Sequence, residues 1–350
     1  MLIANVNQTP NIIMIRILNL TLFITLLMVS ATFAQRKPND KYYSISFKEK
    51  QYPLKPLPKE IKTYASKIGG YTRLDKVRLR TKYLRMPTLE IDNENPHITI
   101  RVKLPGYGFR AKTQIKQKEY KNDKTKVKYY RYYVLQEYNY TVEYMVYKTK
   151  NDELLAEGTF VDSGSKNFEE RKSRKEAYQV YTNAVKGGHN RRLEENAIKV
   201  TLTKVKKAFE SDFLLVDKSK SLGLGDVKGD GDRLPDIKKA YKLAKEGIEA
   251  YSSGGKKGAE AKLNEAIEIW KKALTESDLK KRKSRINYRM TRMINYNLAF
   301  AYYLLDDFSN AKKYAEDCKK LKGIRYRAGS IIRMSNQKEK RYKANSIAFK

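Results

Sequence analysis

The chain is poor in the residues that carry most enzyme chemistry. Its 350 residues include one cysteine, Cys318, and two histidines, His97 and His189. A single thiol excludes an internal disulfide framework and cysteine-rich zinc sites. The two histidines stand alone in their segments, with no cysteine or carboxylate at a metal-ligating spacing. Proline is confined: apart from Pro10 and Pro235, every one falls between Pro38 and Pro105. The rest of the chain therefore lacks the residue that most readily ends helices and sheet interiors. Acidic residues are scarce as well, 39 against 74 basic ones, for a net charge of +35.

Long apolar runs are scarce too, and the exception is at the start. Ile17 to Val29, ILNLTLFITLLMV, carries no charge. It is short of the roughly 20 residues a bilayer-spanning helix needs. Arg16 precedes it and Thr32-Phe33-Ala34 follows, which reads as a secretory signal cleaved after Ala34. Met14 would open a more ordinary signal than Met1. No cysteine follows the run to accept a lipid, which argues against a lipoprotein. Export of a chain without disulfides points to a bacterial envelope or periplasm. There, the glycosylation-like Asn139-Tyr140-Thr141 carries no meaning. Removing residues 1–34 takes away only Arg16, so the charge excess belongs to the mature chain. Such an excess suits an anionic partner: an acidic protein, an anionic envelope polymer, a lipid surface or nucleic acid. Its even spread also suits plain solubility.

The proline-rich stretch, residues 35–96, reads as an extended arm. Tyr43, Ile45 and Phe47 alternate with serines as an added strand would, and Pro53 to Pro58 favours polyproline II. Residues 97–216 read as an α+β domain. Ile98, Ile100, Val102 and Leu104 alternate with polar residues, and Phe109 to Ile115 repeats the pattern. From Tyr130 to Val146 one phase survives across the whole run, as in one long strand. Asn122-Asp123 and Asn151-Asp152 are turn signals. The expectation is an antiparallel sheet of four or five strands followed by two helices, Phe168–Val185 and one opening at His189. An outer-membrane barrel is excluded by too few strands and by the helices. Residues 101–150 mix tyrosine with Lys and Arg, as single-strand nucleic-acid binders do. The tyrosines share the phase of Val142 and Val146, however, which favours the core, and export makes nucleic acid an unlikely partner. Residues 217–234, rich in Gly and Asp, read as a linker. Within them Asp226 to Asp232 resembles a calcium loop but has Lys228 at one ligand position and Ile237 in place of the acidic twelfth residue. Gly223-Leu224-Gly225 with Gly229 misses the dinucleotide fingerprint by one position.

The C-terminal third is helical. Leu298, Ala299, Tyr302 and Leu305 share one helical face, Asp306-Asp307 interrupts, and Phe308, Ala311, Ala315 and Cys318 share the next. Small residues at Ala299, Ala311 and Ala315 allow two helix axes to approach closely. This stretch resembles a tetratricopeptide repeat, with Ala299, Tyr302 and Ala311 at the family's spacing. A poorer copy has Gly247 and Ala266 in the corresponding small-residue positions, with Ser252–Gly258 as an inserted loop. The repeats then span residues 235–322, and 323–350 form a basic cap and tail. By this resemblance the fold is α+β followed by an all-α hairpin domain. The concave groove would be lined by Met293, Tyr296, Phe300 and Tyr303. Arg282, Arg285, Arg289 and Arg292 recur at three and four and form a basic stripe if the preceding helix is extended. The resemblance implies a non-enzymatic protein that binds another envelope protein, with binding of an anionic polymer or lipid as the alternative. No catalytic residue, metal ligand or cofactor is assigned. Cys318 is read as a packed thiol, and the adjacent acids Glu169-Glu170 and Glu194-Glu195 point apart on helices.

Overall fold

The computed structural model describes residues 38–106, 109–228 and 234–349. Residues 1–34, read above as a secretory signal with cleavage expected after Ala34, and the Gly229–Asp232 end of the calcium-like loop lie outside the described residues. The chain divides into two compact units.

One unit takes in residues 50–217 and 340–347. Its sheet contains β2 (Thr63–Gly69), β3 (Glu90–Ile91), β4 (Ile98–Lys103), β5 (Ala111–Lys121), β6 (Lys128–Lys148) and β7 (Glu153–Asn167). The strand order is β3-β2-β4-β6-β5, with β7 along the other side of β6. The long alternating run does form one strand, β6, of 21 residues. Its C-terminal part pairs with β4 and its N-terminal part with β5, both antiparallel. The sheet is nevertheless mixed, not antiparallel, because β2 runs parallel to both β3 and β4. The strand responsible comes from the segment read as an arm over 35–96. Tyr64 and Ala65 bury there, and α1 (Lys76–Tyr83) contributes Leu79 to the same core. Proline-flanked segments thus supply an element, since proline excludes only its own position from a ladder.

Two helices cover one face, α2 (Arg174–Lys186) and α3 (His189–Phe213). Ser173 caps α2 by accepting the Glu176 N–H at 3.2 Å. Ala197, Ile198, Leu202, Val205 and Phe209 of α3 bury with Val142 and Val146 of β6 and with Ile98, Ile100 and Val102 of β4. The tyrosines divide by position along β6. Tyr140 and Tyr144 are core residues, whereas Tyr129 and Tyr130 are 42% and 43% exposed, where β6 pairs with the almost wholly exposed β5.

The other unit takes in residues up to 49, with 218–339 and 348–349. It contains β1 (Asn39–Gln51), β8 (Val216–Lys228), α4 (Pro235–Leu274), the short β9 (Ser277–Asp278) and β10 (Ile286–Asn287), α5 (Tyr288–Leu304), α6 (Phe308–Lys320) and most of α7 (Arg325–Ala344). The helix α4 breaks at Gly255, whose φ of 59° suits glycine. Its halves fold back on each other, tied by Lys239–Glu265 and Lys262–Glu246 pairs at 2.8 Å. A Cβ on Gly247 would lie 3.0 Å from Leu263, so the glycine permits the close approach. The expected loop Ser252–Gly258 is shorter than read, because helix continues on both sides of Gly255. The second hairpin joins α5 and α6. Asp307 accepts the Asn310 N–H at 3.0 Å as N-cap, and Ala299, Ala311, Ala315 and Cys318 are fully buried between the helices. Residues 217–234, read as a linker, mostly form β8, which pairs with β1 in a two-stranded sheet.

Candidate functional site

Met293, Tyr296, Phe300 and Tyr303 do share one face of α5, and all four are fully buried. The strands β1 and β8 cover that face. Tyr42 meets Tyr296 edge-on at 5.6 Å between ring centroids, and Phe47 meets Phe300 at 5.6 Å. Asn297 pins β8: its Oδ1 accepts the Gly225 N–H at 2.9 Å, and its Nδ2 donates to the Gly225 carbonyl at 2.8 Å. Gly225 has no room for a side chain above Met293. The face anticipated as an open groove is filled by the chain's own strands. Asn297→Leu strands two buried backbone groups and is expected to cost about 2–4 kcal/mol, read from the urea unfolding midpoint.

The buried end of this face is ionic. Lys338 of α7 uses all three ammonium protons: on Asp306 at 2.6 Å, on Glu49 at 2.7 Å and on the Tyr251 hydroxyl at 3.1 Å. Glu49 also receives Lys220 and the Tyr303 hydroxyl, the latter at 2.7 Å. Two cations balance two carboxylates. Burial pushes Glu49 upward, but Lys338 and Lys220 outweigh it and hold the carboxyl below its ordinary range. Burial opposes the charge on Lys338, yet Glu49 and the neighbouring groups keep it protonated well beyond the usual lysine range.

The basic stripe is dispersed. Asn287 caps α5 by accepting the Arg289 N–H at 2.9 Å, so the helix begins at Tyr288 and is not extended upstream. Arg282 and Arg285 precede it in a turn that Asp278 organises by accepting the Lys280 and Lys281 N–H groups at 3.0 Å. Arg285 pairs with Asp236 and with Glu276, the latter at 2.7 Å. Arg292 is largely buried on Asp40 at 2.7 Å, and Arg289 donates to Asn39 at 2.5 Å. Arg282 and Arg289 instead line a recess of about 510 Å³ with Pro38, Leu279 and Tyr288. Cys318 is buried beside Arg292 and Asp40, and burial pushes its thiol up to about 12. It is therefore an inert packing thiol. His189 is tied to Gln136 at 2.9 Å, and His97 to Thr63 at 2.9 Å.

Another concave feature of this unit lies beside the covered face, between β1, β8 and α7. It is a cleft of about 600 Å³ lined by Tyr42, Ser44, Ser221, Leu222, Gly223, Tyr296, Tyr326, Arg327, Ser330, Arg333, Met334 and Gln337. No carboxylate lines it among the described residues. The Arg327 guanidinium lies 4.7 Å over the Tyr42 ring, and a Cβ on Gly223 would come within 3.1 Å of that guanidinium. Arg333 donates to Ser330 at 3.1 Å and lies 5.8 Å from the Tyr326 ring, which is 81% exposed. The Tyr296 hydroxyl is buried with the Gly223 backbone facing it, and no group among the described residues accepts its proton. Burial pushes it up to about 12 despite Arg327, so it remains protonated and able to donate. The arrangement can bind an anion: two exposed guanidinium forks and hydroxyl donors line one cleft that has no acid among its described lining residues.

Of the cleft residues, sequence reasoning reached only Tyr296. Arg327 and Arg333 fell inside a segment read as a basic tail. For Arg333 the signal was the spacing of Tyr326, Ser330, Arg333 and Gln337 at three and four, one helical face carrying aromatic, hydroxyl, cation and amide in turn, and Arg327 lies outside that row.

No family model matches the chain, and no curated protein matches it. Among solved structures, a minor lipoprotein from Acinetobacter baumannii is similar at 14% identity, covering 43% of this chain and 91% of that chain with a TM-score of 0.27. A homologue of a neuraminyllactose-binding hemagglutinin from Helicobacter pylori is similar at 9% identity over 44% and 88%, TM-score 0.23. Similarity at this level carries no inference about fold or function. Among the described residues, no helix is long and apolar enough to cross a membrane.

Proposed function

We propose that this is a non-enzymatic exported protein of the bacterial envelope, in which a helical-hairpin unit similar to tetratricopeptide repeats captures a protein partner through the arginine–tyrosine cleft. One observation carries the reading. Arg327 and Arg333 have no carboxylate partner among the described residues, in a chain whose buried arginine Arg292 has one. Cations held over aromatic rings in a concave site are common anchors for a partner's acidic side chains. The partner's contribution is an acidic segment with an apolar residue for Tyr42 and Tyr326. The cleft holds hydroxyls and guanidinium groups but no base beside a nucleophile, so binding rather than turnover is the chemistry it suits.

The exposed ring of Tyr326 marks where a partner first touches. A photo-crosslinking amino acid in its place, in cells, is expected to yield one dominant adduct in the envelope fraction. The mature N-terminus is expected at Gln35 by mass spectrometry. No adduct from Tyr326, or a chain that keeps residues 1–34 and stays in the cytosol, overturns the proposal.

A further inference from the structure

The unit built on the mixed sheet has a second surface with no part in the cleft. From Ala111 to Tyr133 the chain carries eight cations and two acids. These residues form the β5–β6 hairpin, paired without interruption from Ala111↔Tyr138 to Lys121↔Lys128. Strand alternation puts Lys112, Lys116, Lys118 and Tyr120 of β5 on the same face as Tyr129 and Arg131 of β6. Lysines 112, 116 and 118 are exposed, and β5 is a sheet edge. Lysine on an edge strand ordinarily guards against edge-to-edge pairing. Glu170 takes Lys118 and the Tyr120 hydroxyl, the latter at 2.6 Å. Lys112 and Lys116 have no such partner among the described residues and stand about 14 Å apart along β5.

We infer that this face is a binding surface for a linear acidic polysaccharide, its carboxylate or phosphate groups spanning Lys112, Lys116 and Arg131. The tyrosines decide against a single-stranded nucleic acid. Base stacking needs a free ring face. Tyr120 and Tyr129 instead stack on each other at 5.5 Å and 17°, with Lys118 4.8 Å over the first ring and Arg131 5.8 Å over the second. With the rings engaged, the face offers cations and hydroxyls beside the backbone donors of an edge strand, against one exposed acid, Glu137, opposite Lys112. That set matches a polymer carrying regularly spaced charge and many hydroxyls.

The full chain without its leader is titrated with polygalacturonate, neutral dextran and poly(dT) at 50 and 300 mM salt. Polygalacturonate is expected to bind at low salt and to weaken strongly at high salt, while dextran does not bind and poly(dT) binds at least tenfold less tightly. Lys112→Glu with Lys116→Glu is expected to lose at least tenfold for polygalacturonate. The same double change at the exposed Lys257 and Lys283 is expected to lose less than threefold, and Arg327→Gln with Arg333→Gln to leave binding unchanged. The last variant separates this surface from the cleft, so either reading can fail alone. Tighter binding of poly(dT), absence of polygalacturonate binding, or equal losses from the two double lysine variants overturns the inference. Because the lysines of both pairs are exposed, circular dichroism of the variants is expected to match the parent.

Discussion

Lys338→Met is expected to destabilise the helical-hairpin unit by about 3–5 kcal/mol, the usual consequence of removing one partner from a buried ion pair. The change strips the ammonium from Glu49 and Asp306 together and leaves Lys220 to compensate two buried carboxylates. It also removes the donor on Tyr251. Trp270 is the chain's only tryptophan and is fully buried in α4, so its fluorescence reports on this unit. At about 2–4 °C per kcal/mol, the melting midpoint seen by Trp270 should fall by roughly 10 °C. Adding Glu49→Gln and Asp306→Asn should restore much of the loss, because the uncompensated charge rather than the missing contact is the main cost. A shift under 3 °C for the single variant would show that water reaches the cluster.

The same cluster sets a pH window. Glu49 is depressed in the folded chain, so its contribution is present above the unfolded carboxylate value and is lost as pH falls through the folded value. Lys338 is raised, so its contribution persists below the unfolded lysine value and disappears only in strong alkali. The unit should be most stable from mildly acidic to mildly alkaline pH and should weaken below about pH 4. Glu49→Gln should be less stable at neutral pH yet show a shallower fall between pH 5 and pH 3. An unchanged slope would place the acid-sensitive carboxylates elsewhere.

Arg327→Gln with Arg333→Gln is expected to reduce partner capture about 100-fold while leaving the fold intact. Charge-assisted contacts to an acidic group contribute about 1.5–3 kcal/mol each, and each 1.4 kcal/mol is tenfold in affinity. Neither arginine is paired to a carboxylate among the described residues, so their removal leaves no buried charge behind. What is lost internally is the Arg327 contact over Tyr42 and the Arg333 contacts to Ser330 and the Tyr326 ring, about 0.5–1 kcal/mol for each exposed ring contact. The measurement is adduct yield from the Tyr326 crosslinker, with thermal unfolding as the fold control. Full capture by the double variant would mean that the cleft is not the docking site. A loss with Lys at both positions as large as with Gln would show that the guanidinium fork, not charge alone, makes the contact.

Local elements were readable where the sequence repeats with a period. The alternation through β6 and the small residues of α5 and α6 identify elements because side-chain direction follows backbone geometry alone. The boundary at Asn287 was missed: periodic spacing continued through Arg282 and Arg285, but an N-cap and an Asp-centred turn override a charge pattern whose energy per pair is small. The polarity of β2 was not readable, because direction in a sheet depends on the connection and not on the strand's own residues.

By itself, the sequence determined that Met293, Tyr296, Phe300 and Tyr303 share one apolar helical face, which spacing alone left open as a groove. What covers that face was decided only in three dimensions. Ser44 meets Ser221 across 177 positions, and Tyr303 meets Glu49 across 254. Periodicity records that a side chain must be buried, since the hydrophobic effect is proportional to area and indifferent to partner. The partner is chosen by packing, charge balance and backbone pairing between distant segments, and from that choice the covered face, the ionic cluster and the cleft beside them all follow.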